Sequence, residues 1–131
     1  MSVLVDTSIW SALFRRQNPN SPEAIELQRL ILAKAARIIG PIRQELLSGV
    51  RHAQQYVKLR DSLRQLPDLL LREQHFERAA EHCNLCMSRG VQRSPTDFLI
   101  CAVAEIDTLF VYTADADFTY YARHLPIRLH R

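Results

Sequence analysis

Short apolar runs alternate with helix-length segments along this chain, and that rhythm restricts its fold more than any other feature. Val3-Leu4-Val5, Ile38-Ile39 and Leu109-Phe110-Val111-Tyr112 read as strands, and the stretches between them carry helical spacing. The alternation predicts an α/β sandwich around a mainly parallel sheet. Strands are expected over about 2–6, 37–40, 109–113 and, at an edge, 126–129. Helices are expected over about 8–15, from Ser21 onward, from Gly40-Pro41, over 54–66 and 73–89, from Ser94, and over 118–123. Ser21 caps its helix with Pro22 at the first position, and residues 17–22 before it form a turn-rich loop. Leu69-Leu70-Leu71 is a brief run, read as extended, and Gly90 suits a left-handed cap.

With 131 residues the chain fits one domain around one core. The hydrophobic fraction of 47% and charged fraction of 24% are ordinary for a soluble globular protein. No apolar stretch approaches the ~20 residues a membrane span needs. No basic segment precedes the first apolar run, so it reads as a strand and not as a signal peptide, and the expected compartment is the cytoplasm. Fifteen of the seventeen basic residues are Arg, which suits phosphates and carboxylates, yet they are scattered and the net charge is only +3.

Cys83-Asn84-Leu85-Cys86 is a C-x-x-C pattern with neither a second pair for zinc nor the strand-to-helix setting of a redox pair. Phe76, Ala79, Ala80, Cys83 and Met87 recur at helical spacing, which predicts that this stripe is buried and that the cysteines belong to the core. The five histidines share no ligand spacing and are expected on the surface or on helix faces.

Acidic residues stand where a parallel sheet builds its ligand crevice. Asp6 ends the first strand, Asp115 follows the late strand with Asp117 two residues on, Asp97 opens the helix after Ser94-Pro95-Thr96, and Glu45 lies about one turn into the helix after the second strand. Strand C-terminal ends and the helices that follow share one edge of such a sheet. Taken singly, each acid has an ordinary role: Asp97 in a capping box, Asp6 as an N-cap, Asp115 and Asp117 as turn formers, Glu45 as a solvated helix residue. Their common edge argues for convergence. Two like charges ~4 Å apart repel by about 4 kcal/mol at an effective dielectric of 20. A divalent cation offsets that repulsion, and an all-oxygen donor set selects Mg²⁺ or Mn²⁺.

The segments around these acids resemble the four acidic motifs of PIN-domain ribonucleases, specifically VapC-type toxins. Val3-Leu4-Val5-Asp6-Thr7-Ser8-Ile9-Trp10 is similar to the opening motif and Gln44-Glu45-Leu46-Leu47-Ser48-Gly49 to the second. Pro95-Thr96-Asp97-Phe98-Leu99-Ile100-Cys101-Ala102 is similar to the third and Tyr112-Thr113-Ala114-Asp115-Ala116-Asp117-Phe118 to the fourth. No one motif is specific, but the ordered set is, and it covers nearly the whole chain. Cys101 stands where the family commonly has a small residue such as Ala.

The resemblance implies a three-layer α/β/α domain over residues 1–131 and Mg²⁺- or Mn²⁺-dependent endoribonuclease activity. It implies catalysis and metal binding by Asp6, Glu45, Asp97 and Asp115, with Asp117 as a second-metal or outer-shell residue and Thr7, Ser8 and Thr113 as outer-shell hydroxyls. It also implies an RNA substrate, a small VapB-type antitoxin as partner of a type II toxin–antitoxin pair, and a homodimer. Ile9, Trp10, Leu13 and Phe14, with the Ile25–Leu32 stretch, are the expected groove for an antitoxin segment. A phospho-acceptor receiver domain also gathers acids at a sheet edge, but it needs a lysine after a late strand, and Lys34 and Lys58 both lie in predicted helices. The alternative left open is a non-catalytic RNA-binding or protein-interaction module on the same scaffold.

Overall fold

The computed structural model of the chain describes residues 1–15, 18–90 and 94–131, so Gln17 of the expected loop lies outside the described residues. The first apolar run forms β1 (Val3–Val5), fully buried, and leads directly into α1 (Thr7–Phe14). After α2 (Pro22–Leu32) come β2 (Ala36–Arg37), α3 (Gly40–Leu47), α4 (Ala53–Leu63), α5 (Glu73–Ser88) and α6 (Pro95–Ile106). The chain ends with β3 (Phe110–Tyr112), α7 (Asp117–His124) and β4 (Arg128–Leu129). The four strands pair in the order β2-β1-β3-β4, and every pairing is parallel. From β1 the chain moves to one side for β2, then returns past β1 to its other side for β3. Right-handed crossovers in opposite directions place the connecting helices on opposite faces of the sheet. The point of reversal lies between β1 and β3, where a ligand crevice forms beyond the strand ends.

Local chemistry explains the boundaries. The Ser21 hydroxyl accepts the Ala24 N–H at 3.1 Å and Pro22 opens α2. Two helix-to-strand junctions use one device. Lys34 after α2 and Thr108 after α6 both adopt φ of +56°, and the Ala35 and Leu109 N–H groups reach back to the Leu30 and Ala104 carbonyls at 2.9 and 2.8 Å. These are Schellman closures, which usually recruit glycine. Gly90 serves the expected role at the end of α5, with φ of +80°. The Leu69–Leu71 run makes extended contact, with Ile38 bridging to Asp68 in parallel and the Leu69 N–H donating to the Ile38 carbonyl.

Several expected faces differ from those observed. On α5, Phe76 and Met87 are exposed and Cys83 is half-buried, whereas His75, His82 and Cys86 are buried. The helix is rotated because α6 and the residue that caps its C-terminus offer carboxylates to its imidazoles. His75 Nδ1 accepts the Arg72 N–H, leaving Nε2 to donate to Asp107 at 3.0 Å, and His82 Nε2 meets Glu105 at 2.7 Å. Arg78 adds a two-pronged bond to Glu105. His130 is likewise no surface residue: it bonds Glu26 at 2.6 Å, where Arg29 and His130 together hold that carboxyl down at about 2. On α2, Ala24, Leu27 and Leu30 face the core, while Ile25 and Leu32 are exposed. The expected groove face of α1 is also corrected. Ile9 and Trp10 are fully buried, and the Trp10 indole N–H donates to the Val5 carbonyl at 2.9 Å; only Leu13 and Phe14 keep part of their surface. Cys86 and Cys101 are core residues.

A β-branched residue at positive φ costs on the order of 1 kcal/mol that glycine does not incur. Thr108→Gly is expected to raise the unfolding free energy by about that amount in urea denaturation. A loss of stability would show that the Thr108 side chain contributes more than its backbone strain costs.

Candidate active site

Register builds the site. Val5 pairs with Tyr112, and the Asp6 N–H donates to the Tyr112 carbonyl at 2.9 Å. The residues just past the two strand ends, Asp6 and Thr113, are therefore neighbours, and the Thr113 hydroxyl donates to Asp6 Oδ2 at 2.8 Å. The Ser8 hydroxyl donates to the same oxygen at 2.9 Å. Each hydroxyl also accepts a backbone N–H from the loop after β3: Ala114 to Ser8 at 3.1 Å and Asp115 to Thr113 at 2.9 Å. Asp6, itself buried, is thus tied through two hydroxyls to the segment that carries Asp115. Asp115 Oδ1 in turn accepts the Asp117 N–H at 2.9 Å, which turns the chain into α7.

Asp97, Asp115 and Asp117 come together, each offering a carboxylate oxygen within 4.8 Å of the others. Asp97 occupies the first turn of α6 behind Ser94, whose hydroxyl accepts from Thr96 N and not from the Asp97 N–H of a capping box. Its side chain is held instead by the buried Tyr121 of α7, which donates its hydroxyl to Asp97 Oδ2 at 2.8 Å. Phe98 and Phe118 flank the Tyr121 ring at 5.4 and 5.1 Å. Burial pushes the Asp97 carboxyl up to about 6; Tyr121 opposes this, and the charges of Asp6, Asp115 and Asp117 add to it. The Tyr121 phenol is itself pushed well up, by burial and by the bond to Asp97, and stays a donor.

Glu45 stands apart from that trio. It is exposed on α3, and its link to the site is the Thr7 hydroxyl, which donates to Glu45 Oε2 at 3.3 Å. The expected acids thus fall into a three-carboxylate group, Asp6 beside it, and Glu45 one threonine away. Sequence reasoning missed Tyr121. The signal was there: it lies three residues after Phe118 on a short helix, and a phenol buried at that spacing needs an acceptor.

An all-oxygen carboxylate group at this separation could hold a hard divalent cation, and burial, with the charges of the neighbouring acids adding to it, already pushes the Asp97 carboxyl up. In cation-free protein, the raised Asp97 value means that its contribution to stability is full below the ordinary carboxylate range and is lost as pH rises through about 6. With chelator present, Asp97→Asn is expected to melt higher than wild type near about pH 8, by on the order of 2 kcal/mol, with the gap closing towards about pH 4. An Asn variant that melts lower than wild type near pH 8 would contradict the crowding described.

The PIN domain family model matches residues 3–124. Ribonuclease VapC11 of Mycobacterium tuberculosis is 34% identical over 125 residues, covering 92% of each chain, and a VapC ribonuclease of Mycobacterium bovis matches to the same extent. Among solved structures, FitAcB of Neisseria gonorrhoeae superposes with a TM-score of 0.78 at 21% identity, covering 98% of this chain and 96% of that one. VapBC2 of Rickettsia felis, bound to a DNA fragment from its promoter, gives 0.75 at 18% identity and covers 99% and 98%. The mixed α/β fold, the β1–β3 crevice and these similarities lead to one conclusion: the chain belongs to the PIN domain family, among the VapC ribonucleases.

Proposed function

We propose that this protein is a metal-dependent endoribonuclease, the toxin of a type II toxin–antitoxin pair, folded as one ribonuclease domain over 1–131. The observation that carries the reading is the Asp97–Asp115–Asp117 carboxylate group beside Asp6 at the β1–β3 reversal. Asp6, Asp97, Asp115 and Asp117 hold Mg²⁺ or Mn²⁺, and Glu45 completes the acidic crevice from α3. When bound, the cation supplies a water of lowered pKa and offsets the charge that develops at a phosphodiester undergoing in-line displacement. Ser8 and Thr113 orient Asp6 so that Oδ2 is occupied by their hydroxyls. Tyr121 holds Asp97 in place from behind. Thr7 steadies Glu45. Their common effect is preorganisation: oxygens fixed before substrate arrives need no rearrangement during the reaction.

The curated relatives are named as ribonucleases, and one structural neighbour is described as the sarcin-ricin loop cleaving toxin VapC20 of Mycobacterium tuberculosis. Several neighbours are described as toxin–antitoxin complexes or systems, which supports a small VapB-type antitoxin here; the homodimer rests on the family resemblance alone. With Ile9 and Trp10 in the core, only Leu13 and Phe14 of the expected groove face of α1 keep surface that a partner can reach. No helix among the described residues is long and apolar enough to cross a membrane.

Asp6→Asn and Asp97→Asn are each expected to lower Mg²⁺-dependent RNA cleavage by about a hundredfold or more. Millimolar Mg²⁺ is expected to raise the wild-type melting temperature and to leave Asp97→Asn almost unmoved, because the cation binds only the folded site. Full cleavage by either variant, or an equal Mg²⁺ shift in both proteins, would refute the assignment.

A further inference from the structure

A cleft of about 330 Å³ opens between the C-terminal end of α1 and the start of α4, away from the acids. Its charged lining is of one sign: Arg15, Arg51 and Lys58, with His52 beside them, and no carboxylate. Several guanidinium groups elsewhere are matched to acids: Arg29 with Glu26, Arg43 with Asp68, Arg60 with Asp61 and Arg78 with Glu105. Among the described residues no acid pairs with Arg15, Arg51 or Lys58. The floor is apolar, formed by Phe14, Val50 and Leu59. Phe14 is half-buried, with its ring stacked 6.1 Å from Trp10, so its orientation is set by the core.

The cleft is joined to the acidic crevice by two helices. Thr7, bonded to Glu45, begins α1, and Phe14 ends it at the cleft. That helix of eight residues spans about 12 Å. Glu45 lies near the end of α3, and the chain then turns through Gly49, at φ of +82°, to place Val50 and Arg51 on the cleft wall. A few nucleotides of single-stranded RNA cover such a distance. Unpaired cations over an aromatic floor are what an extended nucleic-acid strand uses: phosphates meet the charges, and a base stacks on the ring.

Resting on the ribonuclease reading above, we propose that this cation-lined cleft is a substrate-positioning subsite, which holds the backbone of single-stranded RNA on the Glu45 side of the scissile bond. Arg51 and Lys58 neutralise phosphates, Arg15 guides the strand at the rim, and Phe14 carries a base. The subsite acts on binding and register, and not on the chemical step.

The test uses the whole protein and two probes. A fluorescein-labelled, unstructured single-stranded RNA of mixed sequence, in chelator so that nothing is cut, reads binding; total bacterial RNA with Mg²⁺ reads cleavage. The Arg51→Glu/Lys58→Glu variant should keep the wild-type melting temperature, since both side chains are exposed. It should bind the oligonucleotide at least about tenfold more weakly, with a salt dependence of log Kd shallower by about 0.7 for each phosphate contact removed. Its KM should rise while kcat holds within about twofold. Arg51→Lys should restore most of the binding, and photocrosslinks in wild type should fall on the 51–58 segment. Unchanged affinity and salt dependence in the charge-reversed variant overturn the proposal, even if cleavage proceeds normally. So does a cleft that retains an acidic peptide from an antitoxin and is indifferent to RNA. Failure of the ribonuclease reading has a different signature: wild type that binds RNA but cuts none with Mg²⁺ present.

Discussion

The parallel pairing of β1 with β3 is the constraint on which the rest of this structure depends. Val5 opposite Tyr112 brings Asp6 against Thr113, although 107 residues separate them in the chain. The pairing also delivers the loop that carries Asp115 and Asp117. Alternate residues of a strand face opposite sides, so a slip of one position would send the Thr113 hydroxyl away from Asp6. Both strands are short, and what fixes their register is burial: Val3, Leu4, Val5 and Val111 are fully enclosed. Beyond the strand ends, Trp10 adds a second clamp by bonding the Val5 carbonyl from within α1.

That arrangement carries an electrostatic cost. Asp97 is pressed into a partly buried position facing three other acids, and its carboxyl sits near 6 in consequence. The first turn of a helix ordinarily favours a negative side chain, yet here burial and like charge outweigh the helix. Tyr121 recovers part of the loss through one hydrogen bond, and Phe98 and Phe118 keep its ring in place. Such concentrated like charge is characteristic of sites whose resting state awaits a ligand of opposite sign. The Arg78–Glu105–His82 network between α5 and α6, by contrast, balances its charges closely.

The acids at the strand ends were legible because each follows an apolar run too short to be anything but a strand: Asp6 after Val3–Val5, Asp115 after the run closed by Tyr112. Asp97 was marked by Ser94-Pro95 at a helix start. The parallel sheet followed from the alternation, and the family from the ordered motifs. What could not be read depended on partners far away in the chain. The α5 stripe was placed on Phe76 and Met87 because hydropathy ranks them above histidine; the carboxylates of Glu105 and Asp107, on another helix, make His75 and His82 the buried residues. On α1, Ile9 and Trp10 were misjudged for the same reason, since an apolar stripe does not state whether its cover is the protein's own sheet or another chain. Glu45 had the right edge but not the distance: helix α3 leaves it joined to the site through Thr7.

The central claim is that the β1–β3 junction assembles a site for a hard divalent cation. Anomalous diffraction from crystals soaked in Mn²⁺ tests it most directly. The account predicts one dominant peak bounded by the carboxylates of Asp97, Asp115 and Asp117 and reached by Asp6. Strong Mn²⁺ density elsewhere on the molecule, with none between those side chains, would contradict it.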